Sequence, residues 1–178
     1  PPTSSTDNIM ENITGFLRGF PAFVLFSSLV WIILDQSSNA PIYLFIGLVL
    51  TSILNGVLKY LVVRPIFGSL GNRPPGAIHT GNFVSTNSEK DDQSYGMPSG
   101  HAQTAVFWSV FIIMIVWSQN DRTRINKIIS SLTVGTMAIF VLYSRLHFGV
   151  HTGSQVVIGA LIGLLTGYLY YVNISNNL

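Results

Sequence analysis

The sequence predicts an all-α fold: a polytopic membrane bundle of about five transmembrane helices with its candidate site at one membrane face. Three observations predict it. Of 178 residues, 48% are hydrophobic and only 9% are charged, against about 25% charged in an ordinary soluble domain. Apolar runs recur along the whole chain, each able to reach the roughly 20 residues that cross a bilayer once less polar flanks are included. The histidines and the glycine- and proline-rich sequence fall between those runs or at their ends.

The chain reads as a single domain over residues 1–178. Residues 1–15 are polar and are expected to be a frayed tail, and an opening Pro1 in place of Met points to trimming or processing. The first apolar run, 20–34, has Arg18 just before it and Pro21 near its start; an arginine there can snorkel to the interface. A cleaved signal peptide fits this run less well, because it begins far into the chain and lacks a small-residue cleavage site. The second run, 41–63, carries Asn55 and Lys59 toward its end. Residues 64–97 form a long Gly- and Pro-rich loop that passes through "SEKDD", and a loop of this length is usually functional or disordered. The third run, 102–117, is joined by the short link "SQNDRTRINK" to the fourth, 128–143, and a tight turn leads to the fifth, 156–172. Gly159, Gly163 and Gly167 recur at every fourth position of that last run, a smooth stripe where another backbone can approach. Packing within the chain is the preferred reading, and a homodimer face the alternative.

Alternating helices put His79, His101, His147 and His151 on one membrane face and the basic link, with Arg122, Arg124 and Lys127, on the other. The positive-inside tendency makes the link cytoplasmic and the histidine face lumenal or extracytoplasmic, with Arg18 and Lys90 counting the other way. Of the two sequons, Asn12 then faces the lumen and Asn173 does not; both lie close to the membrane, so chance sequons are preferred. The absence of cysteine excludes disulfides, thiolate metal sites and thiol nucleophiles. A net charge of +2 without a basic patch excludes a nucleic-acid footprint.

Three stretches can meet on the histidine face: "LKYLVVRPIFGSLGNRP" at 58–74, "MPSGHAQ" at 97–103 and "YSRLHFGVHTGSQ" at 143–155. They supply cations, backbone donors and imidazoles, which is what an anionic phosphate needs. Ser99 can cap the helix that follows, Gly100 allows close backbone approach, and the helix start offers free N–H groups to an anion. His101 would hang over such an anion as a proton donor. Arg145 offers a planar fork of donors, and His151, six residues on, offers a neutral imidazole able to attack phosphorus. Gln155, one helical turn beyond His151, can accept from Nδ1–H and leave Nε2 free. His147 and His79 are read as ordinary interfacial histidines.

These residues resemble the type 2 phosphatidate phosphatase superfamily of membrane lipid phosphatases, which shares its site design with the vanadium haloperoxidases. The family's second motif stands here as Pro98, Ser99, Gly100 and His101, and its third as Ser144, Arg145 and His151. "YGMPSGHAQ" and "YSRLHFGVHTGSQVVIGALIG" look most like the dolichyl diphosphate phosphatase branch; many other members carry Asp where this chain has Gln155. The resemblance runs from about Asn55 to Gly167 and leaves the first helix unanchored. The first motif departs from the family pattern of Lys, six residues, then Arg-Pro: Lys59 is followed by Arg64-Pro65 after four residues and by Arg73-Pro74 after thirteen. Lys59 with Arg73 is the favoured phosphate-binding pair, with Arg64 as the alternative.

The resemblance implies an integral-membrane, multi-pass enzyme that hydrolyses a lipid phosphate in two steps without metal or other cofactor. His151 would attack phosphorus, His101 would protonate the departing group, and water would release phosphate. Lys59, Arg73, Arg145, Ser99 and the Gly100 amide would hold the oxygens, with Gln155 and Ser144 in support. Polyprenyl diphosphate is the first choice of substrate, ahead of phosphatidate-type lipids. A non-catalytic lipid-phosphate binder is the main rival, favoured by the altered first motif; a transporter fits less well because the cations lie at helix ends. A zinc site built on the histidines would need nearby acids, and Glu89, Asp91 and Asp92 cluster in a solvated run.

Overall fold

The computed structural model describes residues 5–75, 77 and 95–178, with side chains from residue 12 onward. Among them are five helices long and apolar enough to cross a membrane: α1 (Ser5–Leu34), α2 (Ala40–Val57), α3 (Gly100–Ser118), α4 (Arg124–His147) and α5 (Gly153–Ile174). The protein is an all-α, multi-pass integral membrane protein. Phe26, Ile33, Leu61, Ile139 and Leu161 point outward and are exposed, as side chains facing lipid would be.

Two boundaries differ from the sequence expectation. α1 is already helical from Ser5, so the polar stretch 5–15 is not a frayed tail. Nothing between Ser5 and Asn12 breaks a helix, and once the apolar turns beyond are formed each added residue costs little. The second span likewise runs past position 64. α2 is prolonged by a π-helical segment (Leu58–Val63), one α-turn (Arg64–Phe67) and a 3-10 turn (Gly68–Gly71), so the whole span is Ala40–Gly71. Pro65 sits in the first turn after the π segment, where a missing N–H is tolerated, and Arg64 N donates to Lys59 O. Non-helical chain therefore starts at Asn72.

α3 is the central helix and contacts each of the other four. Phe107 and Phe111 are buried on it, meeting Phe20 and Val24 of α1, Leu44 and Leu48 of α2, and Tyr171 of α5. A polar clasp ties α2 to α3 inside this apolar packing. Gln103 Nε2 donates to Thr51 O and Thr51 Oγ1, both at 3.0 Å, while its Oε1 accepts from Asn55 Nδ2 at 2.8 Å. With no water to compete, such bonds hold two helices in one register.

The glycine stripe of α5 lies on the α3 backbone. A Cβ on Gly159 would sit 2.5 Å from Ser99 O, one on Gly163 would run into Gln103 O, and one on Gly167 would sit 3.1 Å from Phe107 O. The stripe is filled from within the chain, so it is not the homodimer face that was the alternative reading.

α1 carries Pro21 in its interior, a substitution that costs a free helix about 3 kcal/mol relative to Ala. The ring removes the N–H that would bond the carbonyl four residues back, here that of Leu17.

Gly163→Ala is expected to lower the thermal midpoint of the detergent-solubilised protein, since overpacking of this kind costs about 1–3 kcal/mol. Gly135→Ala, in α4 where a Cβ meets nothing within 4 Å, should leave the midpoint unchanged or raise it. Equal midpoints for the two variants would contradict the packing described.

Candidate active site

The site is built where the loop after α2, the start of α3 and the α4–α5 turn come together. The long loop is pinned where it leaves and returns: Asn72 pairs with Tyr95 in an isolated bridge. Gly71 O accepts from Gly96 N at 2.8 Å and Met97 N at 3.2 Å. A glycine is needed at 71 because the Tyr95 phenol lies directly on it, and Tyr95 Oη donates to Val63 O at 3.0 Å. His79, Glu89, Lys90, Asp91 and Asp92 lie outside the described residues.

The second stretch enters α3 in extended conformation at Ser99. Ser99 N donates to Gln155 O at 3.0 Å. Ser99 occupies the N-cap position but its hydroxyl caps nothing, contrary to expectation. The residue is fully buried against Gly159, and its Oγ has no hydrogen-bond partner among the described residues. Gly100 opens the helix beside Asn55, whose Oδ1 would lie 3.0 Å from an added Cβ.

The third stretch folds around the Arg145 carbonyl. Val150 N and His151 N both donate to it, at 3.2 and 3.3 Å, and Gly149, at φ +62°, makes the reversal that an L side chain resists. The Arg145 guanidinium is 0% exposed. Its Nε and Nη2 donate to Ser144 Oγ at 3.1 and 3.0 Å, and Nη2 also donates to Leu17 O at 3.0 Å. Those acceptors are neutral, and Nη1, also buried, has no partner among the described residues. Phe148 offers its ring to two cations, Arg145 at 5.5 Å and Arg18 at 5.2 Å from the centroid.

Thr152 starts α5 with a capping box: its Oγ1 accepts from Gln155 N, and Gln155 Oε1 accepts from Thr152 N at 3.2 Å. That Oε1 also accepts from His151 Nδ1 at 3.0 Å, while Gln155 Nε2 donates to Asn72 O at 2.7 Å and Gly71 O at 3.3 Å. Carbonyls only accept, so the amide orientation is fixed. The His151 proton is then on Nδ1, and the Nε2 lone pair is uncommitted. His151 is 5% exposed. Burial, then the charge of Arg73, with lesser help from Lys59 and His101, pushes it from 6.5 down to about 3 against the opposing Gln155 bond. The imidazole is neutral at physiological pH.

His101, in the first turn of α3, is held by a different element. Its Nε2 lies 2.8 Å from Arg18 O on α1, and a carbonyl partner requires the proton on Nε2. Arg73 is half-buried, with its Cγ 2.9 Å from where a Gly96 Cβ would stand, next to Gln155. Lys59 is half-buried in the π segment, whereas Arg64 is exposed one turn on. His147 is exposed and stacked on Tyr143, ring centroids 5.7 Å apart. The structure thus gathers His151, Gln155, Arg73, Ser99, Gly100, Arg145, Ser144, His101 and Lys59, and leaves Arg64 and His147 at the surface. The contribution of α1, through the Leu17 and Arg18 carbonyls, has no counterpart in the sequence reading. Among the described residues, no three His, Asp or Glu side chains form a ligand set for a metal.

Donors and cations thus lie around an imidazole whose Nε2 carries the lone pair. The sequence profile of the PAP2 superfamily matches residues 40–178, most of the chain. The chain belongs to the PAP2 superfamily. Within it, similarity falls on the dolichyl diphosphate phosphatase branch. Dolichyldiphosphatase 1 of Dictyostelium discoideum is 31% identical over 80% of this chain and 56% of its own length. Dolichyldiphosphatase of Saccharomyces cerevisiae is 28% identical over 92% of this chain and 64% of its own. Lipid phosphate phosphatase epsilon 1, chloroplastic, of Arabidopsis thaliana is 31% identical over 91% of this chain and 50% of its own. The chain thus spans only part of these relatives' length, and the PAP2 match begins at the start of α2, after α1. No solved structure gave a significant match.

The His151 environment in this PAP2 chain carries a pH prediction. A histidine whose folded pKa lies near 3 and whose unfolded pKa is about 6.5 contributes stability that is complete above pH 6.5 and is lost progressively as pH falls toward 3. The melting midpoint in detergent should therefore fall less steeply between pH 6.5 and 4 in His151→Gln than in the parent. Parallel profiles would show that the imidazole is not kept neutral by its surroundings.

Proposed function

We propose that the chain is an integral-membrane lipid phosphatase that cleaves a phosphate or diphosphate headgroup through a phosphohistidine, acting as one catalytic domain. The observation that carries this reading is the His151 imidazole: neutral, proton on Nδ1 bound to Gln155, and Nε2 lone pair uncommitted beside a cluster of cations. His151 Nε2 forms the bond to phosphorus as the bond from phosphorus to the leaving oxygen breaks. Since Nε2–H of His101 is held by Arg18 O, the proton that His101 passes to the departing oxygen is one that Nδ1 takes up from solvent when the anionic headgroup binds beside the ring. Water, giving a proton back to His101, then displaces His151 and frees phosphate.

Charge that builds on the equatorial oxygens is met by Arg145, Arg73 and Lys59, by the Ser99 hydroxyl, which has no partner among the described residues, and by the Gly100 amide at the start of α3. Arg73 is preferred to Arg64 for the first-motif role because its charge is the strongest acting on His151, while Arg64 is exposed. The chemistry needs no metal, since protein cations supply the neutralisation. Polyprenyl diphosphate is the favoured substrate, supported by the relatives named dolichyldiphosphatase; a phosphatidate-type lipid is second, supported by the lipid phosphate phosphatase relative. The site faces the lumen or exterior if Arg122, Arg124 and Lys127 mark the cytoplasmic side. A non-catalytic lipid-phosphate binder is the second reading, favoured by the altered Lys59 to Arg-Pro spacing.

Phosphate release from dolichyl diphosphate and from phosphatidate in detergent, with chelator present, tests the reading. The parent chain should turn over at least one of them, and His151→Ala should abolish release. Arg73→Ala should lose about 100-fold or more, on the scale of losing one charge-stabilising group, and Arg64→Ala less than about threefold. No turnover on any lipid phosphate would favour the binder, and activity removed by chelator would favour a metal hydrolase.

A further inference from the structure

The interior proline of α1 has a use that rests on the phosphatase reading above. Pro21 has no N–H, so the carbonyl of Leu17, four residues back, receives no bond from it within the helix. That carbonyl accepts instead from Arg145 Nη2 at 3.0 Å, and the next one along, Arg18 O, lies 2.8 Å from His101 Nε2. Two site residues from two other helices are therefore held by adjacent backbone oxygens of the turn that the proline interrupts. The PAP2 family profile begins at residue 40, so this contribution comes from a part of the chain outside that profile.

We propose that Pro21 is a positioning residue for the hydrolysis: by withholding the N–H that would bond Leu17 O within the helix, it supplies the acceptor that fixes the fully buried guanidinium of Arg145. Among the described residues, Nε and Nη2 of Arg145 donate to Ser144 Oγ and Leu17 O alone. The Ser144 hydroxyl belongs to the neighbouring residue and moves with it. Leu17 O is thus the contact that sets the guanidinium against the rest of the bundle. An alanine at 21 restores the N–H, draws Leu17 O back into the helix, and leaves a buried donor unsatisfied or displaced.

The test is Pro21→Ala in the full chain, assayed for phosphate release from dolichyl diphosphate and phosphatidate in detergent. A misplacement of about 1 Å at a charge-stabilising group costs up to roughly 100-fold, so kcat should fall about 10- to 100-fold with KM within about threefold of the parent. In an Arg145→Lys background the same change should cost less than about threefold further, because the guanidinium it positions is already gone. The melting midpoint of Pro21→Ala should stay within a few degrees of the parent. Parent-like kcat in Pro21→Ala, a full further loss in the Arg145→Lys background, or a midpoint far below the parent would each overturn the proposal, the last two by making Pro21 a general folding element. A parent chain that releases no phosphate overturns the phosphatase reading itself, and this proposal with it; an active parent with an unaffected variant overturns this proposal alone.

Discussion

The carboxamide of Gln155 holds the site together. One oxygen accepts from an imidazole and from the backbone at the start of α5, and one nitrogen donates to two carbonyls at the end of the long second span. Four groups from two stretches of chain converge on a fully buried side chain. A carboxylate at this position could orient His151 but could donate nothing to Gly71 and Asn72. Using an amide couples the tautomer of the histidine to the placement of the loop that carries Arg73, and it does so without adding a negative charge that would compete with an anionic ligand.

The membrane sets the terms for the rest. Burying Arg145 among neutral acceptors is costly, and three hydrogen bonds and an aromatic face offset part of that cost. The helices that carry these groups approach closely only where side chains are small. The α5 glycines let Ser99, Gln103 and Phe107 of the α3 segment come against α5 at backbone distance, and Ser99 N reaches Gln155 O as a result. Helix packing and site geometry are the same contact seen from two sides.

Much of this was legible in the sequence because it rests on local chemistry. Five apolar runs gave the spans, and the four-residue spacing of His151 and Gln155 gave their hydrogen bond, though His151 stands just ahead of the helix and not in its first turn. Features that depend on tertiary context were not legible. Ser99 has the composition of a cap, yet the contact with Gly159 and the bond to Gln155 O set its environment. The π segment around Lys59 lies in an apolar run too short for periodicity to separate a five-residue from a four-residue hydrogen-bond step. The polar residues after Ser5 looked like a tail because composition does not report that a helix already formed downstream extends through them. The role of α1 was hidden for a further reason: it acts through main-chain oxygens, which have no signature in the residue types at 17 and 18.

The bridge between Asn72 and Tyr95 closes the ring of chain that leaves α2 and returns to α3, with Gly71, Gly96 and Met97 reinforcing the closure. Closure entropy grows only slowly with the number of residues enclosed, so once the neck is fastened, the enclosed segment can lengthen, shorten or change composition at little expense to the chemistry beside it. A lineage can therefore vary that segment while Gly71, Asn72, Tyr95 and Gly96 at its neck keep their positions.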